Sequence, residues 1–219
     1  MAADFYLIFY YGVLLTGAGI GLFYIKKVDT PFRWLCMLLI ITLLSEAVGG
    51  YLSLHHIPNG LVYVIFTPIE YFMYAMVYKL FFNDKKWTRL LFGSIACLIL
   101  LEMINIIFFQ QPDEAPTNIM NIESVLLVIL SLKLFIDIRE KPIYDSILNE
   151  GVFWFNSAVL IYYAFSVLIW GLHSLIFRLK DPPHIIYQIL LLFSGFLYLA
   201  YTASIILNRV STIKAANRV

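Results

Sequence analysis

Seven apolar stretches, each long enough to cross a lipid bilayer as a helix, dominate this sequence. A helical span needs about 20 apolar residues, and the stretches that qualify are residues 5–25, 33–54, 61–82, 88–109, 118–137, 152–176 and 184–207. The chain is 62% hydrophobic and 13% charged, whereas a soluble domain is typically about 25% charged. A water-soluble fold of this length cannot bury so much apolar surface. The sequence therefore predicts an all-α polytopic membrane protein, with one seven-helix transmembrane domain over residues 1–219.

The basic residues predict how these helices are oriented. Of the fifteen Lys and Arg residues, all except Arg178 and Lys180 lie on the side of the first, third and fifth loops and the C-terminus. Cytoplasmic loops carry such an excess of basic residues. We therefore expect the N-terminus outside and the C-terminus in the cytoplasm. The first stretch is expected to be a membrane helix, because no basic segment or small-residue cleavage site marks a signal peptide.

Weak internal similarity is compatible with a duplication. With helix 4 as a linker, helices 1–3 and helices 5–7 run in the same directions, as in parallel repeats. Several residues of the first half recur in the second: Val13-Leu14-Leu15 as Val125-Leu126-Leu127, Trp34 as Trp154, and Tyr63 with Tyr74 as Tyr187 with Tyr198. The pattern permits a three-plus-one-plus-three duplication of residues 1–82 and 118–207, and the alternative is that such matches arise by chance in so apolar a chain.

Four glutamates lie inside the apolar stretches: Glu46, Glu70, Glu102 and Glu123. A charged side chain at the centre of a bilayer costs roughly 2.5–3.5 kcal/mol on insertion scales. These side chains are therefore expected to face the interior of the helix bundle. Glu123 lies nearest a helix end, and exposure to water is the alternative for it.

Polar residues at helical spacing extend from these acids. Steps of three and four residues place Thr42, Glu46 and Gly49 on one face of helix 2, and Tyr163, Ser166 and Trp170 on one face of helix 6. Such stripes are expected to meet, because lipid cannot satisfy polar groups. The predicted ligand- or proton-binding residues are Glu70, Glu46, Glu102, Asn105, Tyr74, Tyr163, Trp170 and Tyr198.

The stretch VIFTPIEYFMYA, residues 64–75, places a helix breaker beside one of these acids. Pro68 removes the hydrogen bond to the carbonyl of Val64 and kinks a helix. Thr67, a neighbouring helix or water is expected to satisfy that carbonyl. A kink there would open a polar pocket at Glu70. The alternative is that Glu70 only holds helices together through a hydrogen bond to a tyrosine or asparagine.

Metal, cofactor and catalytic signatures are sparse. The metal-ligand candidates His55, His56, His173 and His184 follow no HxxxH or HExxH pattern. Residues 184–207 contain no lysine, which excludes a retinal Schiff base in helix 7, and we expect no cofactor. No nucleophile elbow is present and no catalytic residue is predicted. A net charge of +1 gives no electrostatic pull on nucleic acid.

The Pro-x-Glu-Tyr element within Phe66–Tyr74 resembles small, uncharacterised bacterial seven-helix membrane proteins, some of them related to the sensor halves of membrane-bound signalling kinases. The resemblance covers the topology and this one element. It implies a sensory or accessory signalling role in a bacterial cytoplasmic membrane. The chain carries no kinase domain up to Val219, so a signal would have to pass to a partner.

Three functions remain open from the sequence. The first is a receptor-like or accessory signalling protein with an outward-facing polar pocket around Glu70 that binds a small ligand or protons, and with residues 137–151 contacting a cytoplasmic partner. The second is a small proton- or cation-coupled transporter or channel. The third is a membrane-embedded lipid-modifying enzyme, in which a carboxyl group acts as acid or base.

Overall fold

Seven long helices make up most of the part of the chain that the structure describes. The computed structural model describes residues 2–82, 84–111, 115–140, 147–171 and 184–216. The helices are α1 (Ala2–Tyr24), α2 (Thr30–Leu54), α3 (Gly60–Phe82), α4 (Lys85–Phe108), α5 (Thr117–Glu140), α6 (Gly151–Gly171) and α7 (His184–Ala216). Each contains a segment long and apolar enough to cross a membrane. The predicted all-α, seven-helix membrane fold is confirmed, whereas the orientation of the termini stays a prediction.

The helix boundaries that the structure describes follow the predicted spans closely, except at the end of α7. Helix α7 continues to Ala216, past the expected end at Leu207. Its last turn therefore includes Lys214. The expected end of α6, at residue 176, lies outside the described residues. A short 3-10 helix, Ile147–Asn149, precedes α6.

His56 has a structural role in the turn between α2 and α3. His56 has a positive φ of 56°, and its N–H donates to the carbonyl of Ser53 at 3.1 Å. The N–H of Ile57 donates to the carbonyl of Leu52 at 2.9 Å. This pair of bonds is a Schellman motif, which ends a helix with one left-handed residue. His56 therefore terminates α2.

Six of the helices form a closed ring. Helix α1 packs against α2 and α7, α3 packs against α2 and α5, and α6 packs against α5 and α7. Helix α4 lies outside this ring, against α3 and α5. The order α1–α2–α3 followed by α5–α6–α7, with α4 between them, is compatible with the proposed duplication of residues 1–82 and 118–207, which stays a prediction.

Small residues allow close contact around the ring. A Cβ atom on Gly17 of α1 would lie 2.7 Å from Thr202 Oγ1 of α7. A Cβ atom on Gly21 would lie 3.4 Å from the Cα atom of Cys36 in α2. Glycines that let membrane helices approach closely are a common interface device. Helix α1 is therefore held tightly between its two neighbours.

Candidate functional site

The helix ring encloses a cavity of about 310 Å³. Its lining comes from all six ring helices and includes, among the described residues, none from α4. Apart from Ala115, which precedes α5, the lining residues belong to the N-terminal halves of α1, α3, α5 and α7 and the C-terminal halves of α2 and α6. These halves lie at the same end of the bundle because successive helices alternate in direction. The cavity therefore occupies one half of the membrane domain, the half with few basic residues.

Among the described residues, three carboxyl groups line this cavity, from Glu46 on α2, Glu70 on α3 and Glu123 on α5. The hydroxyl of Tyr163 donates to Glu70 Oε1 at 3.0 Å, and the hydroxyl of Tyr11 lies 3.5 Å from Glu46 Oε2. Glu123 is 3% exposed, and its Oε1 atom has no hydrogen-bond partner among the described residues. Glu70 therefore accepts a hydrogen bond from a phenol, whereas one carboxyl oxygen of Glu123 has no hydrogen-bond donor among the described residues.

Tyrosine is the most frequent residue in the lining. Tyr10 and Tyr198 have ring centroids 5.7 Å apart, and Tyr162 and Tyr163 have centroids 4.9 Å apart in an edge-to-face arrangement. Ser194 adds a hydroxyl that lies 3.3 Å from that of Tyr162. The tyrosines of the lining are Tyr10, Tyr11, Tyr63, Tyr162, Tyr163, Tyr187 and Tyr198. The cavity thus combines aromatic faces, hydroxyl groups and carboxyl groups.

A layer of buried hydroxyl and amide groups closes the cavity on the side of the other membrane half. We call it the floor cluster, and it comprises Tyr74, Tyr78, Ser131, Asn156 and Tyr201, each 0% exposed. Tyr74 and Tyr201 share a hydrogen bond of 2.5 Å. Tyr78 bonds to Ser131 Oγ at 2.7 Å and donates to Asn156 Oδ1 at 3.0 Å. The Asn156 amide donates to the carbonyl of Ser131 at 2.9 Å.

The floor cluster lies directly against the cavity wall. The Tyr74 ring packs edge-to-face on that of Tyr163, with centroids 5.5 Å apart. The Tyr201 ring lies 6.4 Å from that of Tyr198. Phe155 fills the space between the Tyr74, Tyr78 and Tyr201 rings. Packed aromatic side chains therefore separate the cavity from the opposite half of the bundle.

The structure brings five of the eight predicted site residues into the cavity lining: Glu46, Glu70, Tyr163, Trp170 and Tyr198. Tyr74 lies in the floor cluster, where its hydroxyl bonds to Tyr201 and not to a carboxyl group. Glu102 and Asn105 are buried but lie on α4, outside the cavity lining. The two residues share one face of α4, as their spacing predicts, but α4 lies outside the helix ring.

Asn105 has a structural role at the junction of α4 and α5. Its amide donates to Gln110 Oε1 at 3.0 Å, and its carbonyl oxygen accepts from the Asn118 amide at 3.0 Å. Gln110 in turn donates to Thr117 Oγ1 at 3.0 Å. Glu102, 4% exposed, has two carboxyl oxygens without a hydrogen-bond partner among the described residues.

The structure also bears on the expectations for Glu123, Thr67 and Pro68. Glu123 is buried, so the alternative of a water-exposed Glu123 is wrong. The Thr67 hydroxyl donates to the carbonyl of Tyr63 at 2.9 Å, and not to that of Val64. Helix α3 continues through Pro68.

The histidines do not form a metal site in the described part of the chain. His55 and His56 are exposed, and the His55 ring lies 4.5 Å from that of Tyr51. His173 lies outside the described residues, and the side chain of His184 is not described. Among the described residues, no three His, Cys, Asp or Glu side chains converge closely enough to hold a metal ion.

Sequence reasoning missed Tyr10, Tyr11, Tyr162 and Ser124 as lining residues. The middle of helix 1 contains no acidic or basic residue that would mark its tyrosines as part of a polar site. Tyr10 is 5% exposed, but Tyr6, Tyr10 and Tyr11 lie near the start of the helix, where tyrosine is common at the membrane interface. Only the contact between α1 and α7 shows which of them faces inward.

No protein-family model, curated protein or solved structure matches this chain. The functional proposal therefore depends on the geometry and chemistry of the cavity.

Proposed function

We propose that this integral membrane protein is receptor-like, or an accessory signalling protein, and that the cavity around Glu70 binds a small ligand. The cavity itself is the observation that carries the proposal. Its volume of about 310 Å³ is at the lower end of the range for small-molecule sites. An apolar and aromatic lining with a few convergent polar groups is also characteristic of such sites.

The floor cluster supports a receptor over a channel. A channel needs a continuous polar route across the membrane, whereas the rings of Tyr74, Phe155 and Tyr201 pack against one another beneath the cavity. A ligand in the cavity would contact α3, α6 and α7 above this layer. Small shifts of these helices would then reach the opposite side, where we propose that residues 137–151 contact a partner; residues 141–146 of that segment lie outside the described residues.

A proton- or cation-coupled transporter is the second candidate, and the order of the helix ring favours it. Transporters built from repeats bind substrate at the repeat interface near the middle of the membrane. Here Glu46 and Glu70 lie on helices of the first half, and Glu123 lies on a helix of the second half. Transport would require the floor cluster to open.

Access to Ser194 distinguishes the two functions. Ser194 lines the cavity, so Ser194→Cys, made in a chain with Cys36→Ser and Cys97→Ser, places a thiol there. We expect a membrane-impermeant thiol reagent to modify this cysteine in right-side-out vesicles but not in inside-out vesicles. Mass spectrometry of the purified protein gives the labelled fraction.

Ser204→Cys in the same background is the matched control. Ser204 lies on α7 as well, is 0% exposed, and is not part of the cavity lining, so it should stay unlabelled from either side. Labelling of the Ser194→Cys thiol from both sides would favour the transporter. If that thiol reacts from neither side, the cavity is not a ligand site and the proposed function fails.

A further inference from the structure

We infer that the ligand of this cavity is a small organic cation carrying ammonium groups, held by Glu46, Glu70 and Glu123 and by the surrounding tyrosine rings. The inference rests on the proposed function, because it names the ligand class for the same cavity. It goes further by assigning the charge and the size of the ligand.

The first argument is charge balance. Three carboxyl groups line one cavity, and the described lining residues include no lysine, arginine or histidine. Carboxyl groups removed from water either stay protonated or ionise beside a paired cation. A bound ammonium group would supply that charge, and it donates hydrogen bonds that carboxylate oxygens accept.

The second argument is the unused acceptor on Glu123. This residue is 97% buried, since 3% of it is exposed, and it lines the cavity. Its Oε1 atom has no hydrogen-bond partner among the described residues. A buried acceptor without a donor is costly, so a donor from a ligand would stabilise it. Neighbouring Glu70 accepts from Tyr163 and retains capacity for a second donor, because each carboxylate oxygen has two acceptor positions.

The third argument is the tyrosine lining. The faces of aromatic rings attract cations, and aromatic cages recognise ammonium groups for this reason. Tyr10, Tyr63, Tyr162, Tyr187 and Tyr198 all contribute to the wall around the three carboxyl groups. Rings also pack well on the methylene groups of an organic cation, which a hydrated inorganic ion does not offer.

The spacing of the acids favours a polyatomic cation over a single metal ion. Glu70 is close enough to interact electrostatically with both Glu46 and Glu123. Yet no three acidic or other metal-ligating side chains among the described residues converge on one point. A volume of about 310 Å³ equals roughly ten water molecules at their share of the liquid. A short chain with an ammonium group at each end would fit that volume and pair with two of the carboxyl groups.

Calorimetric titration of the full-length protein in a non-ionic detergent tests the inference. The probes are 1,5-diaminopentane and its neutral counterpart 1,5-pentanediol, at about 0.15 M salt to screen surface charges. We expect the diamine to bind with one molecule per chain and the diol to bind at least tenfold more weakly. The diamine should also slow the labelling of the Ser194→Cys thiol, which locates binding in the cavity.

Glutamine variants identify the carboxyl groups. We expect Glu123→Gln and Glu70→Gln each to weaken diamine binding at least tenfold. Glu140→Gln is the matched control, because Glu140 lies on the same helix as Glu123 but at its opposite end, outside the cavity lining. The affinity of this variant for the diamine should stay within about twofold of that of the unchanged protein, because changes at distant, independent sites alter a binding energy by no more than this. Size-exclusion profiles and thermal unfolding check that each variant is folded.

Equal binding of the diamine and the diol, or undiminished diamine binding by both Glu123→Gln and Glu70→Gln, would overturn the inference. So would failure of the diamine to bind or to protect the Ser194→Cys thiol. None of these results affects the proposed function if that thiol is still labelled from one side only. The cavity would then bind a ligand of another class.

Discussion

At the scale of single residues, the hydroxyl groups of buried tyrosines have two kinds of partner. Tyr163 donates to a carboxyl group in the cavity. Tyr78, two helical turns past Glu70 on α3, bonds only to neutral groups on α5 and α6. Polar groups near the middle of a membrane must find partners within the protein. The first kind of partner is found in the cavity wall, and the second in the floor cluster.

Tyr78→Phe should destabilise the protein. It removes the donor to Asn156 Oδ1 and the partner of Ser131 Oγ, both in residues that are 0% exposed. Leaving a buried acceptor without a donor costs about 1–3 kcal/mol. We expect the free energy of unfolding to fall by this amount, measured by reversible unfolding in mixed micelles.

Tyr71→Phe is the control for this change. Tyr71 is also buried on α3, but its partner Ser94 keeps a second hydrogen bond to the carbonyl of Leu91. We expect a loss of about 0.6 kcal/mol, the average for such bonds in a membrane protein. An equal or larger loss for Tyr71→Phe would contradict the importance given to the floor cluster.

At the scale of helices, α6 begins where it touches α7. A Cβ atom on Gly151 would lie 2.5 Å from the backbone carbonyl oxygen of Ser204 and 3.1 Å from the Phe32 ring. Backbone atoms cannot rotate away as the end of a side chain can. The first turn of α6 therefore depends on glycine for its distance from α7, and this distance sets the position of Asn156 in the floor cluster.

Gly151→Ala should move or destabilise the start of α6. Overpacking of this kind typically costs about 1–3 kcal/mol, so we expect a lower temperature of thermal unfolding in detergent. Gly93→Ala on α4 is the control, because a Cβ atom there meets nothing within 4 Å. Alanine favours helix by up to about 1 kcal/mol over glycine, so this control should be neutral or stabilising. A similar loss in both variants would show that the contact with Ser204 is not the cause.

At the scale of the whole molecule, contact between the first and last helices closes the ring. Without it, the ring of Tyr10 on α1 would not pack on that of Tyr198 on α7 in the cavity wall. Asn208 of α7 also bonds twice to Asp29, just before α2: it accepts from the Asp29 N–H at 3.0 Å and donates to Asp29 Oδ2 at 2.7 Å. These hydrogen bonds join residues that are 179 positions apart in the chain, and they lie at the end of the bundle opposite the cavity.

A cysteine pair tests this closure. Gly17→Cys and Thr202→Cys, with both native cysteines replaced, should form a disulfide in membranes under mild oxidation, because a Cβ atom at position 17 lies 2.7 Å from the Thr202 side-chain oxygen. A shift in electrophoretic mobility without reductant reports the bond. The pair Gly19→Cys and Thr202→Cys should not cross-link, since a Cβ atom at Gly19 meets nothing within 4 Å. Equal cross-linking of the two pairs would contradict the position of α7 on α1.

The intramembrane acids show how far the sequence could predict the site. Glu46 and Glu70 were expected to face the bundle interior, and both line the cavity. Glu102 carries the same signal, an acid in an apolar helix, yet it packs outside the ring on α4. The free-energy cost of placing a charged side chain in the bilayer indicates only that an acidic residue avoids lipid. It does not tell which interior surface will cover it.

The seven spans and their helical form follow from the sequence alone, because a bilayer admits only backbones that satisfy their own hydrogen bonds. Hydrophobic length is then enough to place most of the helix ends to within a few residues, although α7 continues past Leu207 to Ala216. Which helices become neighbours depends on contacts between residues far apart in the chain, such as Gly17 with Thr202. Only the tertiary structure, by closing α1 on α7 and leaving α4 outside, decides that Glu46, Glu70 and Glu123 share one tyrosine-lined cavity.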